Sequence, residues 1–411
     1  MATALLAYLP MSSVALVAIA LPRPAAARAI VAAWEAGEAA LPLDAGAPAP
    51  ELAATLAAAR PTHLLDGDGR RRLAGGEPVE AGVAAVVATS GTGGAPKLVE
   101  LGADAVEWSA RATSRAVGAG PGDRWLCCVA PHGVAGLAVL ARAWHTGLPV
   151  EVHDRFDPAA VAEAAGRATL VSLVPTMLRR LLAAGDQAAR FRRILLGGGP
   201  VPPDLAAEAT TRGAHLVRTY GLTETFGGMV HDGHPLPGVD LRVEEPEGEL
   251  LVRGPMLFRR YRGDPGRTAA ALRDGWLATG DLGRLAPGGR LLVVLGRRDD
   301  LVISGGVNVH PDEVEAVLAR HPGVAEAAVA GRPDPEWGQR VAAFVVPRDP
   351  ARPPSLEELR AFARERLAAA KAPRELVLVP ALPRGPSGKL LRRLLGEGEA
   401  HVDAGLGRDL P

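Results

Sequence analysis

The chain has 411 residues, 48% of them hydrophobic, and its 46 Lys and Arg balance 46 Asp and Glu. That length and apolar content support two or three domains with substantial cores. Zero formal charge argues against a nucleic-acid footprint or a polybasic membrane patch, so neither nucleic acid nor membrane is expected as a partner.

No charged residue occurs from residue 2 to residue 22. No basic segment precedes this run, Pro10 interrupts it, and Ser12 and Ser13 divide it, so a signal peptide or membrane span is not expected. Residues 14–20 read instead as a buried strand. An alanine-rich helix over 25–36 follows, then a short segment ending in Leu41-Pro-Leu-Asp44. The apolar run 83–88 breaks into Thr89, Ser90, Gly91, Thr92, Gly93, Gly94, Ala95, Pro96 and Lys97. Glycines let backbone N–H groups converge on phosphate oxygens, Ser90 and Thr92 add hydroxyl donors, and Lys97 adds charge. The nucleoside-triphosphatase P-loop requires Gly before and Ser or Thr after its Lys. Pro96 and Leu98 hold those places here. Pro96 also stands where the third glycine of a dinucleotide fingerprint would fall. The loop is an anion cradle of some other fold.

Strand-like runs at 125–130, 169–173, 193–196 and 215–219 then alternate with helical segments such as 175–184 and 202–212. This pattern predicts a layered α/β domain with mostly parallel sheets. Such sheets bind ligands at the carboxyl ends of their strands, where residues 89–97, 197–200 and 220–224 are expected to lie on one edge. The adjacent Cys127 and Cys128 point to opposite faces of a strand, so they are expected as buried reduced thiols, which suits the cytoplasm. Past Gly238 the pattern becomes β-rich, with strands at 248–253 and 290–295. A smaller α+β unit follows. Pro311 suits the first helical position before 312–320, and Ser355 with Glu358 forms a capping box. Its strands are expected at 324–330, 341–346 and 376–379, and the tail past Gly396 is expected to fray.

These motifs occur together in an order that resembles the adenylate-forming superfamily of acyl-CoA synthetases, luciferases and peptide-synthetase adenylation domains. Thr89 to Lys97 resembles its phosphate loop. Gly197, Gly198, Gly199 and Pro200 resemble its adenine-site glycines, and Thr219-Tyr-Gly-Leu-Thr-Glu224 its Y-G-x-T-E motif. Thr279-Gly-Asp281 matches its T-G-D motif. Gly296-Arg-Arg-Asp-Asp300, Ser304-Gly-Gly-Val-Asn308 and Pro311-Asp-Glu313 resemble its hinge region, and Pro386-Ser-Gly-Lys389 its C-terminal lysine motif. The fold implied is a large layered N-terminal domain with a β-rich subdomain over 1–297, trimmed at its start, and a small mobile α+β domain over 298–411.

The resemblance also implies roles. Lys389 would neutralise charge as an acid attacks the α-phosphate of ATP, with Thr223 donating to that phosphate and Glu224 holding Mg²⁺. Tyr220 and Gly221 would face adenine, and Asp281 with Arg297 nearby would bind the ribose. Asp299 would be the hinge on which the small domain swings after adenylation. That swing would bring Ser304, Gly305 and Gly306 to the channel for coenzyme A. His132, Ser172, Thr176, Gly227, Gly228 and Met229 are the pocket candidates. A dicarboxylate substrate would need a cation or several donors for its second carboxylate, for which His231 and His234 are candidates, although loop histidines near glycine and proline are more often just exposed.

Departures are visible. Gly93 stands where the family usually has a second Thr, Leu98 where it has Gly, and Gly133 where it has His, with His132 one position early. The short N-terminal region, together with residues 134–140, 172–178, 196–200 and 218–228, resembles actinobacterial o-succinylbenzoate–CoA ligases of menaquinone synthesis. The partners implied are a small carboxylic acid and coenzyme A, and a homodimer is compatible. The alternatives are a ligase for another aromatic or medium-chain acid and a nucleotide-binding pseudoenzyme.

Overall fold

The computed structural model describes residues 13–89, 96–245, 248–286, 292–305, 307–384 and 390–396. The chain divides into two compact units, Met1–Val294 and Leu295–Pro411.

Among the described residues, the first unit contains two seven-stranded sheets, a smaller five-stranded one and a two-stranded pair. In one large sheet Leu16–Ile19, Ala39–Pro42 and Val83–Thr89 run parallel. Leu16–Ile19 is fully buried, as its uncharged sequence predicts, and the helix Arg23–Glu35 follows. Lys97–Gly102 then pairs antiparallel with Val83–Thr89 and sets Lys97 opposite Thr89. The cradle loop therefore closes a hairpin, and residues 90–95 themselves lie outside the described residues.

The other large sheet contains five parallel strands, Trp125–Cys127, Val150–Val152, Leu170–Leu173, Arg193–Leu196 and Leu216–Leu222. Gly227–His231 extends it antiparallel. The expected strand over 125–130 stops at Cys127, before Pro131. The one expected over 215–219 continues to Leu222, because its antiparallel neighbour supplies partners that a local reading does not see. Both cysteines are buried and free, and burial raises each thiol pKa to about 12.

Thr89 and Lys97 thus belong to one sheet, while the strands that lead into 197–200 and 223–224 belong to the other. The expectation of one shared sheet edge is corrected on this point: the site is assembled from two sheets. They share one apolar core, in which Val87 and Val99 of the first cluster with Leu195 and Met229 of the second.

In the second unit the pair Val324–Asp334 and Gly338–Pro347 forms a long hairpin, with Glu375–Leu378 parallel at its edge. Pro311 opens the helix Pro311–Leu318. Ser355 and Glu358 make the reciprocal capping bonds that start Leu356–Arg364.

Candidate active site

Glu224 sits in the single turn Thr223–Thr225 that ends the strand Leu216–Leu222. The turn is built by Thr225, whose hydroxyl accepts from the Leu222 N–H at 2.8 Å and donates to the Gly227 carbonyl at 2.9 Å. Phe226 takes the left-handed φ of 49°, uncommon outside glycine, and its carbonyl accepts from Ser109 Oγ at 3.2 Å. Glu224 is 6% exposed, and its Oε1 accepts from Lys97 Nζ at 2.6 Å and Tyr261 Oη at 2.8 Å. Burial pushes its pKa up, but the Lys97 ammonium and the Tyr261 hydroxyl outweigh this and hold it below the ordinary value. This ion pair joins the two sheets: Lys97 comes from the hairpin and Glu224 from the parallel sheet.

Among the described residues, no hydrogen bond reaches the Oε2 of Glu224, and no group of three or more His, Cys, Asp or Glu could hold a metal. An all-protein metal centre does not fit these residues. A Mg²⁺ that keeps phosphate oxygens and water needs only one or two carboxylates, and Glu224 fits that requirement.

Tyr220 and Asp281 come together: the Tyr220 hydroxyl donates to Asp281 Oδ2 at 2.7 Å. Asp281 is buried in the strand Trp276–Leu285, and the Gly280 N–H before it donates to Glu249 Oε1 at 3.0 Å. Glu249 has no motif signal. Gly197 packs against the residue preceding Tyr220, since a Cβ there would lie 2.2 Å from Thr219 Oγ1. Gly198, Gly199 and Pro200 are exposed at the carboxyl end of Arg193–Leu196. Thr223 is half-buried in the same turn as Glu224.

Ser172 ends on a residue that sequence reasoning missed. Arg142, in the helix Val134–Thr146, is 5% exposed and donates from Nη2 to Ser172 Oγ at 3.0 Å and from Nε to the Ala138 carbonyl at 2.8 Å. Its guanidinium lies 4.4 Å from the centre of the Trp125 ring. Among the described residues it forms no ion pair and its Nη1 makes no hydrogen bond; burial pulls its pKa down to about 10. The available signal was compositional: Arg142 is the one acidic or basic residue, His145 aside, in an apolar helix.

A Cβ on Gly227 would meet Ala138, the residue whose carbonyl holds Arg142, so Ser172, Gly227 and Arg142 border one region. His231 is buried there rather than exposed, and neither ring nitrogen has a hydrogen-bond partner. Its pKa is lowered to about 4 by burial and by Arg142. His234 is exposed, Met229 is core, and Thr176 is half-buried in the first turn of Pro175–Ala184. His132 lies apart from them. It faces Asp44 at 3.9 Å in a cavity of about 300 Å³ whose lining includes Arg23 and Asp154 but neither Ser172, Thr176, Gly227 nor Gly228.

Arg297, Ser304 and Gly305 belong to the second unit, where Ser304 is buried. Asp299 falls in the turn Arg298–Asp300, its side chain outside those described. Gly306 and Lys389 lie outside the described residues, as does the tail past Gly396.

The family model for the AMP-binding enzyme matches residues 74–262, and that for the AMP-binding enzyme C-terminal domain matches 313–389. The chain is 42% identical over 340 residues to a probable 2-succinylbenzoate–CoA ligase of Mycobacterium tuberculosis, covering 79% of this chain and 88% of that one. It is 37% identical over 335 residues to the 2-succinylbenzoate–CoA ligase of Bacillus subtilis, covering 76% and 68%. Among solved structures, the o-succinylbenzoate CoA synthetase of Bacillus subtilis with its acyl-adenylate intermediate aligns with a TM-score of 0.83 and 33% identity over 93% of this chain and 88% of that one. The same enzyme with ATP and magnesium aligns with a TM-score of 0.82 and 32% identity, covering 93% and 89%.

Proposed function

The chain belongs to the family of AMP-binding enzymes, and from that premise we propose that it is an ATP-dependent acid–CoA ligase whose acid is o-succinylbenzoate. The observation that carries the acid is Arg142. A buried guanidinium without a carboxylate is costly, and an acid with a second carboxylate supplies the missing partner. Ser172 Oγ and the ring nitrogens of His231 are further groups that such a carboxylate can meet. A monocarboxylic aromatic or medium-chain acid would leave Arg142 uncompensated.

In the first half-reaction the acid's carboxylate oxygen bonds to the α-phosphorus and pyrophosphate leaves. In the second, the thiol of CoA attacks the acyl carbon, its proton is lost, and AMP leaves. Two anions must meet in the first step, so cationic side chains are needed where charge gathers. Lys97 and Lys389 are assigned that work. Glu224 would hold Mg²⁺, which when bound neutralises phosphate charge. The Tyr220–Asp281 hydrogen bond supports a joint role, with the ring against adenine and the carboxylate on the ribose. Asp299 as hinge, and Ser304 with Gly305 along the thiol path, belong to the same reading. So does a cytoplasmic setting, where ATP and CoA are abundant.

Acid-dependent pyrophosphate exchange with o-succinylbenzoate, benzoate and octanoate tests this. Exchange should be strongest with o-succinylbenzoate, and Arg142→Met should lower its kcat/KM by roughly 10- to 100-fold, the worth of a buried charge-assisted contact. Exchange with benzoate or octanoate but not with o-succinylbenzoate would sink the substrate assignment. Absence of exchange with every acid, despite ATP binding, would favour a pseudoenzyme.

A further inference from the structure

Arg392 stands three positions after Lys389 and beside Arg393, where charged side chains are ordinarily solvated. The structure places it otherwise. Its side chain is 13% exposed and meets three carboxylates of the second unit. Nη1 donates to Glu315 and to the Val329 carbonyl at 2.6 Å, and Nη2 donates to Asp312 Oδ1 at 2.9 Å. Nε faces Asp300 Oδ2 at 3.2 Å without hydrogen-bond alignment. Glu315 in turn accepts from the Val329 N–H at 2.6 Å, which fixes the helix Pro311–Leu318 to the strand Val324–Asp334.

The position of this cluster in the chain gives it significance. Asp300 closes the turn Arg298–Asp300, directly after the expected hinge residue. Arg392 follows a β-bridge between Arg384 and Leu390, and the Leu391 N–H donates to the Pro383 carbonyl at 2.9 Å. These contacts hold together the described residues on either side of the motif lysine. Three acids around one guanidinium leave an excess of negative charge, and Asp312 is raised to about 7 by burial and by Glu315 against the pull of Arg392. The guanidinium is therefore what allows the acids to share the site.

We propose that Arg392 is a positioning residue for adenylation: through Asp300, Asp312 and Glu315 it locks the lysine-bearing segment to the hinge turn, so that the two move in one register. This rests on the reading of Lys389 as the adenylation lysine. The Asp300 contact, being poorly aligned, should be the weakest link in the lock.

The full-length enzyme is tested by measuring the two half-reactions separately. Arg392→Met should lower kcat for acyl-adenylate formation at least tenfold with KM for ATP unchanged. Thioester formation from supplied acyl-adenylate should stay within about twofold of wild type. Arg392→Lys should recover part of the loss, and Asp300→Asn should show the same split more mildly. Equal loss of both half-reactions together with a lower Tm would overturn the proposal in favour of a merely structural role. Wild-type adenylation by these variants, beside an inactive Lys389→Ala, would overturn it alone. A Lys389→Ala enzyme that still adenylates would overturn the lysine reading and the positioning role with it. Should Arg392→Met fail to fold, Arg392→Lys and Asp300→Asn carry the test, and wild-type adenylation in both overturns the proposal.

Discussion

His231 is held neutral in the folded chain, and that has a measurable cost in acid. Its pKa is lowered from 6.5 to about 4, by burial first and then by Arg142, while Asp232 pulls the other way. Below pH 6.5 the unfolded chain takes up a proton that the folded chain refuses until near pH 4, so stability falls as pH drops through that window. At pH 5 the loss is on the order of 2 kcal/mol. His231→Gln should remove it, so that denaturation midpoints at pH 7 and pH 5 lie closer together than in wild type; an unchanged gap would mean that the imidazole is not the titrating group. At this scale the sequence was most informative where chemistry constrains residue type. Glu224, Tyr220 and Asp281 were legible because the motifs that contain them resemble those of adenylate-forming enzymes, and Tyr220 and Asp281 do meet. Arg142 and Tyr261 were not legible, since each takes its meaning from a partner more than 25 residues away.

The pairing of Leu216–Leu222 with Gly227–His231 is the element that brings Tyr220, Glu224 and the pocket glycines together. Its register shifts between Tyr220 and Gly221, and a Cβ on Gly221 would lie 1.8 Å from the Gly227 carbonyl oxygen. That neighbour is backbone and cannot rotate away. Gly221→Ala should therefore cost about 3 kcal/mol or more, the upper end for overpacking. Chemical denaturation would measure the loss, and a cost under about 0.5 kcal/mol would show that the strands part easily. Helix starts in the second unit were legible because capping is local: Ser355 with Glu358, and Pro311 at its first position, need no distant partner. The hairpin Val83–Thr89 with Lys97–Gly102 was not, because an apolar strand reads the same whether its neighbour runs parallel or antiparallel.

Each compact unit has its own core. Val302, Val329, Val341 and Leu359 cluster in the second, apart from the large clusters of the first. Separate cores predict separate unfolding. Leu359→Ala, at a fully buried site, should cost about 2–5 kcal/mol. In calorimetry it should lower one transition and leave the other in place; a single transition moving as a whole would contradict independent units. The alternation of elements made the layered first unit legible, but the division of its strands into two large sheets was not, because sheet membership is a long-range property. A P-loop sets its phosphates against the start of a helix, whose aligned peptide dipoles supply fixed positive potential that dissolved ions barely reach. Here the last residue of the cradle, Lys97, begins a strand instead, so in the proposed reading side-chain ammonium groups such as Lys97 take the place of a helix start in opposing phosphate charge. On that reading the grip on a nucleotide is coupled to the ionic strength around it.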